Sequence, residues 1–241
     1  MSEYPNTDPA KFRGFRKIAR LSRDITVTEK IDGTNGCIYI GEDGTFLVGS
    51  RTRWITPEAD NHGFARWAYG HKNELMGLGH GRHFGEWFGV GINRGYGLPE
   101  KRFALFNTRR WCAHAAEPRE FASADPQIAH KQTRVPACCH VVPVLYEGPF
   151  KTEQVALTLA MLKMKGSAAV PGFPNPEGVI IYHHAADVLF KKTLLGDEEG
   201  KHAEAHPPKP RVPKPPRNPS KGGRRIAQTP FDGADRRKGS A

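Results

Sequence analysis

No apolar run in this 241-residue chain approaches the roughly 18–20 residues that a membrane-spanning helix needs, so none is expected. The opening residues, MSEYPNTDPAKFRGFRK, hold no apolar stretch of the kind a secretory signal carries, and no such leader is expected. Cysteine is scarce: Cys37, Cys112, Cys138 and Cys139 show no metal-knuckle spacing. Cys138, Cys139 and His140 are adjacent, which is poor geometry for three ligands on one strand. The expectation is reduced, buried thiols in a cytoplasmic protein. No internal repeat is present.

Acidic residues are outnumbered, 25 against 36 basic ones, for a net charge of +11. The imbalance is local. From Gly200 onward there are eleven Lys/Arg and three Asp/Glu, so this stretch carries +8 and the body only +3. The stretch is rich in Pro and Gly and nearly empty of apolar residues. It cannot bury enough surface to offset the entropy of ordering, so residues 200–241 read as a disordered basic tail. Such a tail either tethers weakly to a phosphate backbone or merely aids solubility.

Residues 1–199 read as one folded domain. Cys37–Ile40 and Thr45–Val48 form a hairpin about the turn GEDG, and strands are expected over His83–Phe88, Phe103–Asn107, His140–Leu145, Gly178–Tyr182 and Val188–Lys191. Asn61–Met76 places Phe64, Trp67, Ala68, His71 and Leu75 at helical spacing. Thr152–Lys165 does the same with Val155, Leu159 and Leu162, and Gly166 follows as a stop. Strands joined mostly by turns predict an α+β fold with antiparallel sheets.

Between two apolar stretches lies TEKIDGTNG, residues 28–36. A lysine amine attacks only when neutral, and its unperturbed pKa is about 10.4, so a nucleophilic lysine needs desolvation or neighbouring positive charge. Taken alone, this stretch reads more readily as a hairpin turn with a solvated lysine at Lys30. Downstream, polar or charged residues are embedded in strand-like runs: SRTR (50–53), FGEWFG (84–89), LFNT (105–108), PEGVI (176–180) and LFKKT (189–193). Glu86 and Glu177 would be costly to bury without partners, and a shared ligand with nearby cations would supply them.

This ordered set, spanning roughly residues 25–195, resembles the covalent nucleotidyltransferase superfamily of polynucleotide ligases and mRNA capping enzymes. Within it, the chain looks most like the RNA ligase family, in its ligase-2-like branch of bacteriophages and bacteria. K-x-D-G-x-N is that branch's lysine motif; capping enzymes and DNA ligases usually have Arg at the place of Asn35. The resemblance implies a nucleotidyltransferase (ATP-grasp-like) core of antiparallel sheets flanked by helices. It implies an ATP-dependent RNA ligase that joins 5′-phosphate and 3′-hydroxyl RNA ends, with Mg²⁺ or Mn²⁺ as cofactor.

Roles follow residue by residue. Lys30 would take AMP from ATP. Arg51, with Arg53 as the alternative, would contact the nucleotide or the 5′-phosphate. Glu86 would bind the ribose and Phe106 would stack on adenine, although an aromatic on a strand is also ordinary core. Glu177 would hold the metal or position Lys30, and Lys191 would contact the α-phosphate. Glu29 and Asn35 complete the nucleotide-binding set. The family usually has two basic residues one apart where Lys191 and Lys192 are adjacent, so at most one faces the site. Asp32 could orient the loop or act on the metal indirectly, and Arg94 is a nucleic-acid contact or a solvated loop residue. His183-His184 points to opposite faces of a strand, not to a metal pair. Many relatives carry a second domain after the last lysine motif; only 50 residues follow Lys191, so a catalytic core with a basic tail is expected, working as a monomer. The alternatives are a nucleotidyltransferase with another acceptor, capping-like or DNA, and a non-catalytic protein that binds nucleic-acid ends.

Overall fold

The computed structural model describes residues 17–121 and 130–196. The tail expected from residue 200, and the boundary before it, lie outside the described residues. The first half runs β1 (Asp24–Lys30), β2 (Thr34–Ile40), β3 (Phe46–Gly49), β4 (Trp54–Ile55), α1 (Phe64–Gly70), α2 (Lys72–Leu75), a 3₁₀ turn (Met76–Leu78), β5 (Gly81–Gly89) and β6 (Lys101–Leu105). It continues with β7 (Trp111–Cys112), β8 (Glu120–Phe121), β9 (His130–Lys131), β10 (Thr133–Arg134), β11 (Cys139–Val141), β12 (Val144–Pro149), α3 (Thr152–Lys165), β13 (Gly178–His183) and β14 (Val188–Thr193). No helix among the described residues is long and apolar enough to cross a membrane.

Two sheets form the body. One has the order β12-β1-β13-β14, the other β11-β6-β5-β2-β3-β4. The four-stranded sheet is antiparallel throughout. The expectation of antiparallel pairing alone is corrected elsewhere, because β11 runs parallel to β6 and β10 parallel to β7. A parallel partner needs a long return path. The length of chain between Leu105 and Cys139 allows it.

Helices cover one face of each sheet. Behind the six-stranded sheet, Phe64, Ala65, Ala68, Leu75 and Leu78 pack against Ile38, Ile40, Val48, Trp87 and Phe103. The rings of Phe64, Trp67, Trp87 and Phe103 meet at centroid distances of 4.9–5.9 Å, the range of favourable aromatic pairs. Behind the four-stranded sheet, Val155 and Leu162 of α3 cover Ile25, Val27, Val179 and Ile181, with Leu159 beside them. A third cluster of Ile31, Phe88, Tyr96, Ala104 and Val142 holds the junction of the two sheets. Their other faces are left to each other.

Thr152–Lys165 is helical as read from the sequence, and Gly166 ends it at φ 82°. The helix expected over Asn61–Met76 is shorter and broken. The Asp60 carboxylate accepts from the amides of Asn61, Ala65 and Arg66, which delays the start to Phe64. At its other end Gly70, a weak helix former, precedes His71, whose ring bonds the Trp67 carbonyl at 2.9 Å. The strand expected over His140–Leu145 is two strands, divided at Val142-Pro143. The division carries the chain from one sheet to the other: Val142 N donates to Leu105 O, while Pro143 O accepts from Glu29 N.

Gly36 shows how tightly the six-stranded sheet is backed. A Cβ there would stand 2.6 Å from Phe64 and 2.9 Å from Phe103. Gly36→Ala is therefore expected to destabilise the fold by about 1–3 kcal/mol, the usual cost of overpacking a filled core. An unchanged urea midpoint would contradict this packing.

Candidate active site

Lys30 is the last residue of β1, and alternation along the strand sends Thr26, Thr28 and Lys30 to the face away from α3. Glu177 immediately precedes β13, in which Gly178 is registered with Lys30. Strand pairing thus brings together residues 147 apart in sequence, and Lys30 Nζ meets Glu177 Oε2 at 2.5 Å. Both side chains are largely buried, at 24 % and 18 % exposure.

Three residues, Ile31-Asp32-Gly33, carry the chain from β1 into β2 and hence from one sheet to the other. Asp32 is fixed on every side: its carboxylate accepts from Asn93 Nδ2 and Arg94 Nε, each at 2.9 Å, and its amide donates to the Tyr96 hydroxyl. Of its two expected roles, the structure shows the orienting one. Arg94 is partly exposed but held in place, since it also donates to the Asn175 carbonyl. Burial pushes the Tyr96 hydroxyl pKa up, so that group stays protonated over the working range. Gly33 passes so close to β5 that a Cβ would stand 2.4 Å from the Trp87 carbonyl.

Glu86 is registered opposite Asn35. Its carboxylate accepts from the Gly33 amide at 3.1 Å and from Asn35 Nδ2 at 3.3 Å. Burial pushes its pKa up to about 7, although the Gly33 amide and the Lys30 charge both act to lower it.

These groups stand in a cleft of about 1140 Å³ between the uncovered faces of the two sheets. Arg51 lines it and Arg53 does not; Lys191 lines it and Lys192 does not, as adjacency on a strand requires. Phe106 also lines it and is 40 % exposed, which answers the alternative of a core aromatic. Glu29 is the correction. Its side chain points the other way and is buried, accepting from Ser167 Oγ at 2.6 Å and from the amides of Ala168 and Ala169 at 2.7 and 2.8 Å. Any ligand contact by Glu29 falls to its main chain.

His183 and His184 do point apart, one bonding the Leu21 carbonyl and the other the Thr26 hydroxyl. All four cysteines are free, with Cys138 and Cys139 sulfurs 3.9 Å apart. Among the described residues no group of three or more His, Cys, Asp or Glu could hold a metal. Sequence reasoning missed Arg82, Phe84, Arg109, Arg110 and Tyr182, which also line the cleft. For two of them the signal was available: Arg82 and Phe84 stand four and two residues before Glu86 on one strand, and so share its face. Arg109 and Arg110 lie outside any regular element and gave no periodic signal. The cleft wall is thus strongly cationic, with an exposed aromatic surface and a carboxylate at its floor. It suits a ligand that combines phosphates with a flat ring.

A model of the RNA ligase family matches residues 23–193. No curated protein sequence matches. Among solved structures, the chain is similar to an apo mutant of a Naegleria gruberi RNA ligase at 19 % identity and TM-score 0.47, covering 71 % of this chain and 50 % of that one. It is similar to another mutant of a Naegleria gruberi RNA ligase, with ATP and Mn, at 18 % identity and TM-score 0.48, covering 72 % and 50 %. The chain spans about half the length of these structures.

The raised Glu86 pKa carries a sign for stability. Between about 4.5 and about 7 the unfolded chain has lost this proton and the folded chain keeps it, so stability falls as pH rises through that window. Glu86→Gln removes the titration. The wild type is expected to lose urea resistance relative to this variant as pH is raised from 4.5 to 7. A difference between the two midpoints that is flat with pH would refute the assignment.

Proposed function

This chain belongs to the RNA ligase family, and we propose that it is an ATP-dependent RNA ligase that works through a covalent lysyl-AMP. The observation that carries this reading is Lys30 Nζ, held by Glu177 inside a cleft whose other charged lining includes Arg51 and Lys191. On this reading the body is a nucleotidyltransferase core of the ATP-grasp-like kind.

In the first step the Lys30 amine attacks the α-phosphorus of ATP. A nitrogen–phosphorus bond forms, the bond to the bridging α–β oxygen breaks, and pyrophosphate leaves. The Glu177 carboxylate, in contact with Nζ, is placed to take the proton that the amine gives up. AMP then passes to the 5′-phosphate of an RNA end, releasing the lysine, and a 3′-hydroxyl displaces AMP to leave a phosphodiester. Such transfers depend on positioning and charge neutralisation. Arg51 and Lys191 supply positive charge to the phosphates from opposite walls. The floor carboxylate of Glu86 accepts from the ribose, Phe106 offers its exposed ring to adenine, and Asn35 holds Glu86 in place. Glu177 also offers the carboxylate through which Mg²⁺ or Mn²⁺, bound chiefly by substrate phosphates, would be held. A bound divalent ion would supply charge neutralisation at the leaving pyrophosphate.

With α-labelled ATP and Mg²⁺, the intact protein is expected to acquire label. Lys30→Ala should abolish it, and Phe106→Ala should weaken ATP use by about 5- to 150-fold, the equivalent of losing ~1–3 kcal/mol of ring stacking. No label on wild-type protein would overturn the reading, and labelling by GTP in preference to ATP would move it to a capping-like acceptor.

A further inference from the structure

Beyond the nucleotide-binding groups, the cleft face of the six-stranded sheet carries a strip of side chains that the reaction above leaves unused. Along β2 and β5 the registered pairs on this face run Asn35–Glu86, Cys37–Phe84 and Tyr39–Arg82. The last pair is about 14 Å from the first, four residues at ~3.4 Å each. Trp54 of β4 lies against Tyr39, with ring centroids 6.2 Å apart. The Arg82 guanidinium sits over both rings, 5.1 Å from Tyr39 and 5.9 Å from Trp54. The acidic turn at Glu42 and Asp43 follows β2 and bounds the strip.

Two of these rings are open to solvent, and Tyr39 is half-buried beneath Arg82. Phe84 is 54 % and Trp54 47 % exposed. Single exposed aromatics need no explanation, but a row of them continuous with a catalytic cleft does. The row is also strongly basic, with Arg51 and Arg53 exposed beside Trp54 and Arg82 within it. Alternating rings and arginines offer what an unpaired nucleic-acid strand needs: π-faces for bases and cations for phosphates. A base inside a duplex already stacks on its neighbours and presents no free face to such a strip.

Resting on the ligase reading of the cleft, we propose that Phe84, Tyr39, Trp54 and Arg82 form a stacking platform for the single-stranded RNA leading to the reacting end. The substrate this face selects is an unpaired end, not a nick held in duplex.

The test uses the full chain and a 5′-phosphorylated single-stranded oligoribonucleotide, compared with the same end within a nicked duplex. Binding is read by fluorescence anisotropy at raised salt, where general phosphate attraction is weak. Wild type should bind the single strand more tightly than the nick. Trp54→Ala should weaken single-strand binding about tenfold, within the range of one base–aromatic stack, and leave nick binding unchanged. Trp54→Phe, which keeps a ring, should retain most of the affinity. Self-labelling by ATP should be unaffected in both variants, which also reports that they fold. The platform is overturned if Trp54→Ala binds the single strand as wild type does, if nick binding falls equally, or if Trp54→Phe is as weak as Trp54→Ala. Failure of the ligase reading shows elsewhere, as absence of ATP label on wild type, and leaves the RNA-binding comparison readable.

Discussion

The site depends on one constraint: the chain must pass from the end of β1 to the start of β2, and so from one sheet to the other, in three residues. Each is held differently. Ile31 is buried in the cluster at the junction of the sheets. Asp32 is gripped by Asn93, Arg94 and Tyr96. Gly33 slides beneath the Trp87 carbonyl at a distance no side chain tolerates, and its own carbonyl accepts from Asn93 at 2.8 Å. With the crossing fixed, Lys30 and Asn35 at its two ends are fixed too, one on each sheet and both facing the cleft. On the function proposed above, a lysine at a pinned strand end has the fixed placement that a group-transfer nucleophile needs.

The same crossing explains how the cleft tolerates its charges. Burying an unpartnered carboxylate is costly, and removing one member of a buried pair typically costs about 3–5 kcal/mol, against about 0–1 kcal/mol for an exposed pair. Lys30 and Glu177, each roughly a fifth exposed, stand between these limits. Glu86 has no cation in direct contact among its hydrogen bonds, only the Gly33 amide and the Asn35 amide. Its response is the raised pKa. The two carboxylates of the cleft therefore differ: Glu177 pairs directly with the amine, while Glu86 is held by amides and burial raises its pKa.

Much of this was legible in the sequence because strands expose their faces by alternation. That only one of Lys191 and Lys192 faces the cleft, that His183 opposes His184, and that Arg82, Phe84 and Glu86 share a face all follow from a period of two. Helix α3 was legible because its apolar spacing and terminal glycine agree. What was not legible depended on partners distant in sequence. Nothing near Arg94 announces that it closes on Asp32, 62 residues away. Nothing near Asp60 shows that its carboxylate will take the amides that start α1. The parallel pairing of β11 with β6 could not be read from either segment, because direction is set by the long connection between them.

Glu29 makes the lesson sharpest. In sequence it stands beside Lys30 and reads as part of the same machinery. On a strand, adjacency means opposition, and its carboxylate turns to the far face to bind Ser167 and two amides at the start of the segment running to Glu177. The segment it anchors reaches Glu177 through Asn175, whose carbonyl receives Arg94, which in turn grips Asp32. The loop bearing the partner of Lys30 is therefore tied at both ends to the strand and crossing that bear Lys30 itself. These long-range bonds reinforce the β1–β13 pairing that sets Glu177 beside Nζ. The Glu29 side chain holds the circuit from behind, while its main chain lines the cleft.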